Sequence, residues 1–122
     1  MKQIDSGYLE MILGPMFSGK TSKLIDIYKQ YNFCNISVLV VNHAEDNRYD
    51  HSQLTTHDGT KIDCEKWENL SDFLSHHRVQ LMDDEPIAIL INEGQFFSDL
   101  YESVKTLVNL YKAHVYVCGL DG

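Results

Sequence analysis

Runs of apolar residues alternate along the chain with stretches of helical periodicity. YLEMIL (8–13) is mostly apolar and ends at Gly14. TSKLIDIYKQYN (21–32) follows, with Leu24, Ile25, Ile27, Tyr28 and Tyr31 at helical spacing. SVLVVN (37–42), rich in β-branched residues, predicts a second strand, and IAILI (87–91), entered through Pro86, a third. AHVYVCGL (113–120) predicts the fourth. LSDFLSHHRVQLM (70–82) predicts a helix with Ser71 as its cap. SDLYESVKTLVNLYK (98–112) predicts an amphipathic helix through Leu100, Val104, Leu107, Val108 and Tyr111. The strands are continuously apolar, as expected where both faces of a parallel sheet are covered by helices. The expected fold class is therefore α/β. Between the second strand and the next apolar run, HAEDNRYDHSQLTTHDGTK (43–61) is polar, aperiodic and too long for a simple connector, which marks a functional loop.

Chemistry enters with GPMFSGKT (14–21), a G-x-x-x-x-G-K-[ST] motif that has the required strand before it and helix after it. Gly14 and Gly19 permit backbone angles that turn a run of N–H groups inward around phosphate oxygens. Lys20 can reach the β- and γ-phosphates of ATP, and Thr21 offers a hydroxyl to Mg²⁺. The ATP-binding candidates are therefore Gly14, Pro15, Met16, Phe17, Ser18, Gly19, Lys20 and Thr21. The alternative is a glycine turn with a solvated lysine.

Enzymes of this type commonly place a carboxylate at the tip of a neighbouring apolar strand, where it orders water around magnesium. Here IAILI delivers Asn92 and then Glu93. Adjacent strand residues point to opposite faces, so Glu93 does not automatically replace the carboxylate that Asn92 lacks. Asn92 can accept a hydrogen bond from a metal-bound water but brings no charge; a strand-end turn is the competing reading.

Charge and cysteine usage narrow the partners. The 122 residues carry a formal net charge of −8, which argues against a nucleic-acid groove, since that needs clustered Lys and Arg. The length suits one domain, residues 1–122. Cys34, Cys64 and Cys118 form no CxxC pair, and an odd count suits a reduced, cytoplasmic setting. The apolar runs fall short of the ~20 residues that span a bilayer, so no membrane association is expected. His76 and His77 are adjacent on the expected helix, point about 100° apart, and read as surface residues unable to chelate one ion together. His114 reads as a satisfied core or edge histidine, His57 as a loop residue that could approach phosphates, and Trp67 as a packing anchor.

GPMFSGKT together with EGQFF (93–97) resembles the type II thymidine kinases, the group found in animals, many bacteria and large DNA viruses. HAEDNRYD followed by THDG, and CGLDG at the end, sit where that family has its own loop and strand end. The resemblance implies a P-loop NTPase, RecA-like three-layer fold and transfer of the ATP γ-phosphate to the 5′-hydroxyl of thymidine, in nucleotide salvage for DNA synthesis. It implies Glu93 as general base and Arg48 beside the phosphates, with Asp46, Thr21 and Asn92 on the Mg²⁺ side. Met16, Phe96 and Leu120 match residues lining the thymine pocket, a role that competes with ordinary core packing. The family assembles as tetramers, which implies a homo-oligomer. Two departures stand out: Asn92 replaces the family's aspartate, and the chain stops at Gly122, before the family's four-cysteine zinc site and lasso loop. The expectation is thus an N-terminal ATP-binding part without that zinc. The alternative to a thymidine kinase is a non-catalytic, truncated nucleotide-binding remnant.

Overall fold

A computed structural model of the chain describes residues 7–14, 19–44, 53–55 and 59–119. In chain order these form β1 (Tyr8–Leu13), α1 (Lys20–Phe33), β2 (Ser37–His43), β3 (Gln53–Thr55), β4 (Lys61–Asp63), β5 (Glu65–Trp67), α2 (Leu70–His76), α3 (Arg78–Met82), β6 (Ile87–Asn92), α4 (Leu100–Asn109) and β7 (His114–Gly119). A short 3₁₀ turn, Gly94–Phe96, follows β6. Five strands make one sheet in the order β1-β7-β6-β2-β5, and every pairing in it is parallel. β3 and β4 form a separate antiparallel pair. The expected α/β class with a helix-covered parallel sheet is what the chain adopts.

The two-residue period of a strand divides the core between the faces. Ile87, Ile89 and Ile91 of β6 point to one side, where they pack with Val115 and Val117 of β7 and with Leu70, Phe73, Leu81, Val104 and Leu107 of α2, α3 and α4. Ala88 and Leu90 point to the other, against Leu24, Ile25 and Ile27 of α1 and the hairpin residues Leu54 and Ile62. β6 is buried along its whole length, which is why its sequence shows no alternation. The loop expected over 43–61 thus begins in β2 and carries β3, which packs on the α1 side.

Three expectations are corrected around α2 and α3. Asn69, not Ser71, caps α2: its Oδ1 accepts from the Asp72 N–H at 2.8 Å, while the Ser71 hydroxyl donates to the same oxygen. Asp99, which precedes α4, turns its carboxylate onto α2, accepting from the N–H groups of Leu70 (3.0 Å) and Ser71 (2.8 Å). The donors left over in the first turn of α2 are thereby met from another helix. The single helix expected over 70–82 is also broken. His77 has φ −103 and ψ 17, off the α-helical basin, and its ring lies 5.0 Å from that of buried Phe73. Ligand atoms of His76 and His77 nevertheless lie within 4.8 Å of each other, so the argument from 100° spacing does not hold, and His77 is partly buried. Trp67 does act as an anchor, half-buried against the helical-face core. His114 is satisfied by a bond between its Nδ1 and the Tyr31 hydroxyl at 2.9 Å.

Candidate active site

Because the strands are parallel, the ends of β1, β7, β6 and β2 all open on one edge of the sheet, where α/β folds place their ligands. Gly14 is buried at the end of β1. Gly19 opens α1 with φ 84, a left-handed geometry that suits a residue without Cβ. Lys20 and Thr21 form the first turn, at the positive end of the helix dipole. The Lys20 ammonium is partly buried and donates to the Gly14 carbonyl at 2.6 Å, folded back over the mouth of β1. Pro15, Met16, Phe17 and Ser18 lie outside the described residues, as do Asp46, Arg48, His57 and Leu120.

At the end of β6, Asn92 and Glu93 are both buried, at 2% and 7% exposure. Glu93 adopts φ 56 and ψ 47, a left-handed conformation that costs a non-glycine residue roughly 1 kcal/mol. That geometry ends the strand sharply. Gly94 must then be glycine for a different reason: a Cβ there would stand 2.6 Å from Val117 Cγ1. Gln95 Nε2 donates to Glu93 Oε2 at 2.6 Å, so the carboxylate is oriented by the turn that follows it. Asn92 pairs in register with Asn42 of β2, also buried. The Nδ2 donor of Asn92 has no hydrogen-bond partner among the described residues, and a buried amide in that condition is costly.

Three residues here escaped sequence reasoning. His43 opens the polar run 43–61 in the sequence, yet it is the buried last residue of β2, with its ring 4.8 Å from Phe97 and 5.7 Å from Phe96. Asn42 supports the turn, accepting from the His43 N–H at 3.0 Å. Gln95 orients Glu93. The signal for Asn42 and His43 was a polar pair directly after VLVV, the same strand-to-polar step that drew attention to Asn92 and Glu93. Phe96 remains 47% exposed beside His43, available to a ligand rather than consumed by the core.

Cys118 reports on the same region. Burial pushes its thiol up to about 12, with Lys20 and Lys23 pulling it down and Glu93 pushing it up. Its Sγ contacts the Lys20 carbonyl at 3.5 Å. Brief maleimide treatment of the native protein near neutral pH is therefore expected to label exposed Cys34 and spare Cys64 and Cys118. Peptide mapping that found Cys118 labelled in the folded state would contradict its enclosure beneath Lys20.

Comparison with known proteins adds to this geometry. The family model described as thymidine kinase matches residues 7–122. The chain belongs to the thymidine kinase family. The thymidine kinase of fowlpox virus is 36% identical over 122 residues, covering 98% of this chain and 64% of that protein. The thymidine kinase of Yaba monkey tumor virus is 36% identical over 117 residues, covering 96% of this chain and 60% of that protein. Thymidine kinase 1 of Dictyostelium discoideum is 36% identical over 124 residues, covering 96% of this chain and 50% of that protein. The chain thus spans between half and about two thirds of the length of these relatives. The five-stranded parallel sheet flanked by helices accords with the N-terminal part of a P-loop NTPase-like thymidine kinase. Among the described residues no helix is long and apolar enough to cross a membrane.

Proposed function

We propose that this chain is the nucleotide-binding part of an ATP-dependent thymidine kinase, acting in the cytoplasm in nucleotide salvage for DNA synthesis. The observation that carries the reading is the pairing, at one sheet edge, of the oriented and buried Glu93 carboxylate with the α1 N-terminus bearing Lys20 and Thr21. In this reading residues 14–21 hold the triphosphate of ATP. Glu93 accepts the proton of the thymidine 5′-hydroxyl. The O5′ lone pair forms the new bond to the γ-phosphorus, the bond from that phosphorus to the β,γ-bridging oxygen breaks, and ADP leaves with that electron pair. Lys20, with Arg48, balances the charge on the phosphoryl oxygens during transfer. Phe96, with Met16 and Leu120, lines the thymine pocket, and His43 backs Phe96.

The donor set suits magnesium only modestly. Thr21 supplies a hydroxyl and Asp46 the candidate carboxylate, whereas Asn92 is neutral and its orphaned amide donor complements a phosphate oxygen or ordered water better than a cation. When bound with ATP, Mg²⁺ neutralises phosphate charge. Residues 1–122 form one domain in this reading, assembled as a homo-oligomer, a tetramer in the family, with no nucleic-acid or membrane partner.

The test is formation of thymidine 5′-phosphate from thymidine and MgATP by the purified protein. ATP hydrolysis that ignores thymidine would overturn the assignment. Asn92 favours a second reading, a remnant that binds nucleotide without transfer; ATP binding with no product from folded protein would select it.

Asn92→Asp separates the two roles of this position. A carboxylate here is expected to lower the Mg²⁺ concentration for half-maximal ATP binding by roughly three- to tenfold, since a full charge at 4 Å is worth at most ~4 kcal/mol and a contact through water would transmit only part of it. The same carboxylate, buried without a cation, lowers the melting temperature in EDTA. Equal melting and equal magnesium dependence in the variant and the wild type would show that position 92 does not face the metal.

A further inference from the structure

We propose that Glu65, His76 and His77 form a surface site for a divalent transition-metal ion of the zinc class, apart from the nucleotide site. One ligand atom from each of the three lies within 4.8 Å of the other two. His77 Nε2 already sits 2.9 Å from Glu65 Oε1 and 2.8 Å from Oε2. The His76 ring stands edge-on to that of His77, with centroids 4.8 Å apart.

This convergence lies at the junction of α2 and α3. Adjacent side chains on a helix leave the axis about 100° apart, yet the ligand atoms of these two come within 4.8 Å of each other. At His77 the backbone leaves the helical basin, and both rings turn toward edge strand β5, which carries Glu65. Two of the three donors are held by further contacts, as metal ligands commonly are. The Trp67 indole N–H donates to Glu65 Oε1 at 2.9 Å, and the His77 ring packs on buried Phe73. His76 is exposed and lies 5.4 Å from the Trp67 ring, so it can turn to complete the set. Tetrahedral zinc with bonds of roughly 2.0–2.1 Å needs ligand atoms about 3.3 Å apart. Side-chain rotation of His76 closes the remaining gap.

Two imidazoles and one carboxylate are the donors of zinc-class ions, whereas magnesium and calcium take oxygen ligands. A fourth position is left to water. The ion would clamp the sheet-edge strand to the α2–α3 junction. Ala44, which follows β2, donates its N–H to the Trp67 carbonyl at 2.9 Å, so the clamp also bears on the start of the segment that leads to Asp46 and Arg48. The family's expected cysteine site plays no part in it.

Trp67 is the chain's single tryptophan and touches two of the ligands, which makes its fluorescence a direct reporter. Titrating the whole chain in metal-free buffer with Co²⁺ or Ni²⁺ should quench Trp67 to saturation at one ion per chain, and Zn²⁺ should compete. His76→Ala, at an exposed position, and Glu65→Gln should each weaken binding at least about tenfold, whereas Cys34→Ser should not change it. Absence of quenching in the wild type would overturn the site without any variant. Binding that survives His76→Ala would overturn it too, by placing the ion elsewhere.

Discussion

Replacing Glu93 by glutamine is expected, on the proposed function, to lower thymidine 5′-phosphate formation by roughly 10²–10⁴-fold, the contribution of one well-placed general base, with ATP binding retained. The substitution isolates proton acceptance from architecture. Glutamine keeps the length and shape of glutamate, and its carbonyl oxygen can still accept from Gln95 Nε2, which holds Glu93 Oε2 at 2.6 Å. Glutamine has the same backbone preferences as glutamate, so the left-handed backbone at position 93 is expected to be unchanged. In the proposed mechanism, what disappears is the capacity to take the 5′-hydroxyl proton. Single-turnover product formation beside ATP binding by fluorescence or calorimetry separates the two effects. Glu93→Asp, which keeps the base and withdraws it by one methylene, should fall between wild type and Glu93→Gln. A Glu93→Gln protein with wild-type turnover would remove Glu93 from the chemistry and leave its burial as a matter of folding alone.

The contrast between Glu93 and its neighbours shows what could be read from residues alone. A run such as IAILI is buried on both faces, so its strand character and the polar step at its end were visible without coordinates. Parallel strands then carry every such step to the same edge, which is why Gly14, Lys20, Asn92 and Glu93 could be grouped from sequence. The features that were not visible depend on partners distant in the chain. β5 has three residues, two of them charged, and its strand character comes from pairing with Val41–His43 rather than from its own composition. The Asp99 carboxylate reaches back to the amides of Leu70 and Ser71, so no local pattern marks it as part of the α2 cap. The break at His77 coincides with contacts to Glu65 and Phe73, and no glycine or proline marks it in the sequence. His43 was hidden by its company: a histidine opening a polar segment looks solvated until Phe96 and Phe97 close over it.

Lys20→Ala should lower turnover by roughly 10²–10³-fold, the usual cost of removing one preorganised charge from a transfer site. It acts on a different substrate from Glu93→Gln. The ammonium sits at the mouth of β1, donating to the Gly14 carbonyl at 2.6 Å, which is where the motif would hold it in reach of ATP phosphates. Its loss therefore weakens ATP as well as slowing transfer, so kcat/KM for ATP should fall further than kcat, while KM for thymidine changes little. Glu93→Gln should show the opposite pattern, a fall in kcat with KM for ATP unmoved. Stability distinguishes a functional loss from a structural one. The Lys20–Gly14 bond is partly solvated and contributes no more than about 1–2 kcal/mol, so Lys20→Ala should still melt cooperatively within several degrees of the wild type. Arginine is a poor substitute, because a planar fork cannot occupy the point-like position that the ammonium takes against one carbonyl. Lys20→Arg should accordingly keep the charge and the fold yet recover only a small part of the rate. If Lys20→Ala instead bound ATP and turned over like the wild type, the contact with Gly14 would be a strand-end tether, and the phosphate role of residues 14–21 would fall with it.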